Sequence, residues 1–283
     1  MVPVYAVEVR NVSKSFGGEA AVKGVTFNIP AGELVLFLGP NGSGKTTLLR
    51  CMLGLLSFEG EIRIFGKDVK RQGKEARRYV GYLPQSLSLY GDMTLYQIID
   101  FISDLRGVTV SLEEVLQPFG LLDKADSKVD ELSGGMKQKL AFVLALLGDP
   151  ALLLLDEPFS NLDARGRLDV IEVIKLLKRR GKTIIISTHT LAGLLPTADR
   201  VILMHRGRLL SNIPASEFIK TITPFYRIHV RRKNPNEWTT VTASNLYEKL
   251  KEMTAVNSGY GEIIVEEPSI DEVINMLSKD GGD

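Results

Sequence analysis

The chain has 283 residues, 44% of them hydrophobic, and 35 Lys and Arg stand against 34 Asp and Glu for a formal net charge of +1. Such a balance gives no electrostatic case for a nucleic-acid partner, and no apolar run reaches the roughly 18 residues that a membrane-spanning helix needs. A single cysteine, Cys51, excludes an internal disulfide; with no signal-peptide pattern at the start, this suits a reducing cytoplasm.

Tyr5–Arg10 and Ala21–Ile29, separated by the turn at Gly17-Gly18, read as strands. Leu34–Leu38 is an unbroken apolar run, the pattern of a parallel strand buried on both faces. Gly39-Pro40-Asn41-Gly42-Ser43-Gly44-Lys45-Thr46 follows at once and fits the phosphate-loop spacing of Gly, four residues, Gly, Lys and Ser or Thr. Thr46–Leu56 then reads as a helix with apolar Leu48, Leu49, Met52, Leu53 and Leu56, and it places Cys51 as a buried, inert thiol. Strand, glycine turn and helix N-terminus build a nest of backbone N–H groups for phosphate oxygens. Lys45 would reach the β- and γ-phosphates and the Thr46 hydroxyl would bind Mg²⁺.

Gly60–Phe65 and Tyr79–Leu83 are the next strands, so an antiparallel layer flanks the nucleotide site. Residues 86 to 148 read as helical: Thr94 caps a helix to Arg106, Ser111 and Glu114 make a capping box, and Lys137–Leu147 is strongly apolar. Ala151–Leu155 and Thr183–Ser187 are further buried strands around an amphipathic helix, Leu168–Arg180, that Gly181 stops. Val201–Met204 pairs with Arg208–Ser211 across His205-Arg206-Gly207. This alternation predicts an α/β phosphate-loop core with a parallel sheet, an antiparallel β subdomain and an α-helical subdomain. The texture changes past Asn212, and Arg227–Arg231, Ser244–Met253, Glu262–Glu266 and Ile270–Leu277 suggest a small C-terminal α/β appendage. The expected domains are residues 1–216 and 217–283.

An apolar strand ending in an acid is the usual partner of a phosphate loop, because the acid holds Mg²⁺. Leu152–Leu155 followed by Asp156 supplies it, and Glu157 adds a carboxylate placed to orient or deprotonate water, or simply a turn charge before Pro158. Leu132-Ser133-Gly134-Gly135-Met136-Lys137-Gln138 opens a helix with a hydroxyl and two glycines, a second anion site or a plain N-cap turn.

Taken together and in this order, the phosphate loop, the Leu132–Gln138 segment, Asp156-Glu157, Ser160-Asn161-Leu162-Asp163 and His189 resemble the ATPase subunits of ABC transporters. Gln85 matches that family's glutamine loop. Phe16 matches the aromatic that stacks on adenine, although Tyr is commoner there, and Lys139 replaces a frequent Arg. The likeness covers about residues 5 to 216. It implies that Gly39 to Thr47 cradle ATP, that Thr46, Gln85 and Asp156 form the Mg²⁺ shell, that Glu157 is the base, and that His189 contacts the γ-phosphate. It further implies a head-to-tail dimer with a second copy or a paralogous ATPase, in which Ser133, Gly134, Gly135 and Asp163 complete the partner's site. A separate transmembrane permease would be the other partner, with this chain peripheral on the cytoplasmic face of the membrane.

The segment between Lys45 and Ser133 has no room for the coiled coils of a DNA-repair or chromosome ABC ATPase, and one set of motifs does not fit a two-domain translation factor. Transport remains. Met136-Lys137-Gln138 and the Glu266–Val273 tail resemble the exporter branch handling drugs, polysaccharides, lipids or copper-related maturation, and Thr190–Leu209 resembles the subunit serving nitrous oxide reductase maturation; an importer subunit is the alternative. Leu87, Leu89, Tyr90 and Met93, just after Gln85, are expected either in the core or in a groove for the permease.

Overall fold

Two 12-residue strands, β1 (Tyr5–Phe16) and β2 (Glu19–Pro30), pair antiparallel at the start of the chain. In this computed structural model, residues 4–86, 89–190, 193–222, 227–232, 238–242, 250–251, 253–254, 260–266 and 268–280 are described. Next come β3 (Leu34–Leu38) and α1 (Lys45–Met52), and then β4 (Glu59–Ile64) and β5 (Lys67–Asp68) return to the first sheet, whose order is β2-β1-β4-β5. α2 (Gly73–Arg78) and β6 (Val80–Leu83) lead into a helical stretch of α3 (Leu95–Arg106), α4 (Leu112–Leu116), three short 3₁₀ turns and α5 (Gly134–Leu146). The chain then passes through β7 (Leu152–Asp156), α6 (Ala164–Arg179), β8 (Thr183–Thr188), β9 (Arg200–His205) and β10 (Arg208–Pro214).

The second sheet runs β10-β9-β3-β8-β7-β6, and the pairs from β9 to β6 are all parallel. Every residue of β3, β7 and β8 is buried, which is why their sequences are continuous apolar runs rather than alternating ones. One core joins the two sheets: Val9, Phe27 and Ile62 of the first share a cluster with Phe37, Leu154 and Ile185 of the second, and Leu48, Leu49 and Met52 of α1 are part of it. The phosphate-loop helix is therefore clamped between two sheets. The phosphate loop, Gln85 and His189 follow β3, β6 and β8, and Asp156 ends β7 with Glu157 next, all at the carboxyl ends of parallel strands where ligands of such sheets bind.

Local expectations and observed elements differ in instructive ways. α1 stops at Met52, short of Leu56, because Gly54 turns left-handed (φ 68°) and closes the helix with its N–H on Cys51 O. α6 begins at Ala164 rather than Leu168, since Asp163 Oδ1 accepts the Gly166 N–H at 2.7 Å and caps it. Ser111 caps α4 through the Glu114 N–H, at 3.5 Å, without the reciprocal bond of a capping box. Thr94 and Gln97 form the full box at α3.

The described chain divides into two units, Met1–Asn212 and Ile213–Asp283, slightly ahead of the boundary expected from sequence. The second unit holds α7 (Ala215–Ile222), an antiparallel sheet β12-β11-β13 and α8 (Ile270–Asp280); its strands are β11 (Arg227–Arg232), β12 (Trp238–Thr242) and β13 (Tyr260–Glu266). Ile228, Val230 and Met253 form its small core. The expected Ser244–Met253 element lies mainly outside the described residues.

Candidate functional site

The phosphate loop is folded tightly against its neighbours. A side chain on Gly44 would meet Ala21 O at 2.4 Å in a backbone already left-handed (φ 102°), and one on Gly39 would meet Met204 O at 2.3 Å. Only glycine fits either place. Lys45 is almost wholly buried, and its Nζ donates to Gly39 O (2.6 Å) and Pro40 O (3.1 Å), closing the loop on itself. Burial lowers its pKa, while the charges of Glu157 and Asp156 act in the opposite direction.

Asp156, at the end of β7, is fully buried. Its Oδ1 accepts from Thr46 Oγ1 at 3.1 Å and from the Ser187 hydroxyl of β8, whereas Oδ2 has no hydrogen-bond partner. An orphaned buried carboxylate oxygen costs several kcal/mol unless a ligand satisfies it. Beside the Thr46 hydroxyl it offers the hard oxygen donors that Mg²⁺ takes, and so few protein ligands suit an ion that keeps most of its water. Among the described residues no cluster of three or more His, Cys, Asp or Glu forms an alternative metal cage.

Glu157 occupies the left-handed region (φ 50°), an uncommon conformation for a non-glycine residue and one concentrated at functional sites. Its N–H on Ser187 O (3.0 Å) and the Ser160 N–H on its own carbonyl (3.1 Å) hold it there. The side chain is 13% exposed, and Oε1 lies 2.9 Å from Nδ1 of the half-exposed His189. A carboxylate only accepts, so Nδ1 carries the proton in this bond.

Glu157, Asn41 to Thr47, Gln85 and Phe16 line one cleft of about 790 Å³; Asp156 lies buried behind it, joined to Thr46, and His189 lines an adjoining cleft of about 530 Å³ that shares Glu157. Phe16 is 49% exposed at the rim, with Lys14 Nζ 4.9 Å from its ring centre. Sequence reasoning missed Glu19, Lys23 and Arg206, which line the same cleft. Arg206 sits in a left-handed turn (φ 48°) tied to the loop by the Gly207 N–H on Ser43 O at 3.0 Å. Ser187 was missed too, although a hydroxyl near the end of an apolar strand was the available signal.

Ser133, Gly134, Gly135 and Asp163 do not line this cleft. Ser133 Oγ caps α5 through the Met136 N–H (3.3 Å), and Gly135 packs against Asn161 so closely that a Cβ would lie 3.2 Å from Asn161 O. The Ser133–Gly135 turn and the segment leading to Asp163 thus touch at Asn161 and Leu162. Lys139, the departure from the commoner Arg, pairs with Asp169 of α6 at 2.8 Å. Tyr90 is 70% exposed, Leu89 and Met93 are partly exposed, and Leu87 lies outside the described residues. Cys51 is buried as expected, and burial pushes its thiol up to about 11.

A parallel sheet whose carboxyl ends gather a glycine nest, a buried acid and a carboxylate–imidazole pair defines a nucleotide-binding P-loop fold. Comparison with known proteins specifies it further. The model of the ABC transporter family matches residues 22–160. The Nod factor export ATP-binding protein I of Burkholderia lata is 39% identical over 215 residues, 74% of this chain and 71% of that protein. An uncharacterized ABC transporter ATP-binding protein of Bacillus subtilis is 32% identical over 277 residues, 96% of this chain and 87% of its own length. Among solved structures, an ATP-binding subunit of an ABC transporter superposes with a TM-score of 0.70 at 29% identity, covering 76% of this chain and 92% of that one. A cassette solved as a dimer in a post-hydrolysis state with ADP and phosphate gives 0.68 at 27%, covering 74% and 98%. The chain belongs to the ATP-binding proteins of ABC transporters.

Proposed function

We propose that this chain is the ATP-hydrolysing motor subunit of an ABC exporter, closing around ATP with a second copy or a paralogue to drive a separate membrane permease. The observation that carries the reading is the Glu157–His189 pair beside a buried acid with a free oxygen, all beside the phosphate nest. Phe16 stacks on the adenine and the nest N–H groups hold the phosphates, and Lys45 leaves the Gly39 and Pro40 carbonyls for the β- and γ-phosphates. Thr46, Asp156 and Gln85 would hold Mg²⁺, which would supply charge neutralisation at the phosphates. Glu157 orients the attacking water and takes its proton, and the His189 ring steadies the carboxylate and faces the γ-phosphate. Ser133 to Gly135 and Asp163, absent from the chain's own cleft, complete the partner's site. The direction of transport is supported by the export proteins among the relatives.

The test is a pair of variants. Lys45→Ala should abolish ATP binding. Glu157→Gln should bind ATP like the parent yet release phosphate about 10²- to 10⁴-fold more slowly. Parental turnover in Glu157→Gln would remove Glu157 as the base.

A further inference from the structure

β1 ends on Ser13-Lys14-Ser15-Phe16, and the alternation of a strand puts Lys14 and Phe16 on one face of it. Phe16 lines the nucleotide cleft and Lys14 does not. Lys14 instead lines a separate cleft of about 380 Å³, with Ser13, Ser15, Ser57, Phe58 and Glu59. Its ammonium nevertheless stands over the Phe16 ring, 4.9 Å from the centroid. The ammonium is itself tethered. Nζ donates to Ser57 Oγ at 3.2 Å, across 43 residues of chain, in the connection between α1 and β4.

Phenylalanine has no polar atom to fix its ring, and a side chain left 49% exposed at a rim is free to change rotamer. A cation is drawn to the negative face of the ring quadrupole and so holds the ring in one orientation. It also draws π-density toward itself, which makes the opposite face a better surface for an electron-rich purine. One face of the ring is thereby taken by the cation, and the other is left for a ligand. A cation placed for the phosphates would line the nucleotide cleft, as Lys23, Lys45 and Arg206 do. Lys14 meets the ring and stays out of that cleft.

We propose that Lys14 is a positioning residue for the nucleotide base: it acts through Phe16, by presenting the free face of that ring to the adenine. The proposal rests on the stacking role given to Phe16 above.

The experiment is a double-mutant cycle on ADP affinity, measured by calorimetry with the full chain. Phe16→Ala should weaken ADP binding by about ten- to a hundredfold, as loss of one base–aromatic stack does. Lys14→Met, which keeps the side-chain length and removes the charge, should weaken it by about three- to tenfold. Lys14→Arg keeps a cation for the ring and should stay within about twofold of the parent. In the Phe16→Ala background, Lys14→Met should cost less than about twofold, because the ring through which it acts is gone. The preference for ADP over UDP should shrink in Lys14→Met, a change that a lysine serving only the fold would not produce. Lys14→Gln carries the same cycle if Lys14→Met aggregates.

Parental ADP affinity or an unchanged ADP-to-UDP ratio in Lys14→Met would overturn the proposal. So would an equal loss with and without Phe16, which would make the ammonium a partner of the phosphates. If Phe16→Ala binds ADP like the parent, the base does not stack there and the proposal falls with it; the Lys45→Ala variant still tests the phosphate nest on its own.

Discussion

Ser187 illustrates how much of the site rests on one hydroxyl. It donates to Asp156 Oδ1, the oxygen that Thr46 also reaches. With Thr46 turned to Mg²⁺, as proposed, Ser187 alone would keep the carboxylate aimed. Ser187→Ala should therefore raise the Mg²⁺ concentration for half-maximal turnover by about 10- to 100-fold, as loss of an outer-shell partner does. Loss of a charged hydrogen bond should also cost about 1.5–3 kcal/mol of stability. A Mg²⁺ titration at saturating ATP checks the first, and a parental titration curve would show that Thr46 suffices. Residues of this kind were hard to see in the sequence. Asp156 and Lys45 announce themselves by position after apolar strands. Ser187 enters the site through the pairing of β8 with β7 inside one sheet, and Arg206 through the 205–207 turn on the loop at Ser43, contacts between segments far apart in the chain that hydrophobic periodicity does not report.

At the scale of elements, the buried strands were legible because burial on both faces forces an unbroken apolar run. The helical stretch was less so. Between α4 and α5 the chain uses 3₁₀ turns, one of them at Gln117–Phe119 with Pro118 inside it, and helical periodicity does not separate these from α-helix. β12 was missed because Trp238–Thr242 alternates over a short span, and pairing with β11 defines it. The C-terminal unit also carries a pH-sensitive arrangement. Glu272 is held below the usual carboxylate range first by the Ser269 backbone N–H (2.8 Å) and hydroxyl, with Arg227 adding to the effect. Glu266 is lowered by its bond to His229 (2.9 Å), again with Arg227 nearby. Depressed acids stabilise the fold above their unfolded pKa, and that stability is lost as pH falls through the folded values. Trp238, the chain's one tryptophan, sits in this unit. Its fluorescence midpoint on denaturation should fall as pH drops through and below about 4.3. Glu272→Gln should flatten that dependence; an unchanged slope would detach Glu272 from it.

For the whole molecule, each chain presents a nucleotide cleft and, apart from it, a touching pair of segments, Ser133–Gly135 and the Asp163 loop. The head-to-tail arrangement proposed above would join these halves. Glu157→Gln with ATP and Mg²⁺ should shift the protein from monomer to dimer in light scattering. Adding Ser133→Arg should return it to monomer by placing bulk and charge where the partner's γ-phosphate belongs. A dimer indifferent to both nucleotide and Ser133→Arg would sink the shared-site arrangement.

The grip of Lys45 on Gly39 and Pro40 has a consequence for the working cycle. The loop carries its own counter-ligand in the Lys45 ammonium, which ties its first two carbonyls together. An arriving nucleotide exchanges partners for one ammonium and has little backbone left to order. The entropy of fixing the loop is met once, when the chain folds, and is not met again at each turnover. In the cycle proposed above, reloading would then wait on diffusion and on the two copies parting, and not on assembly of the nest.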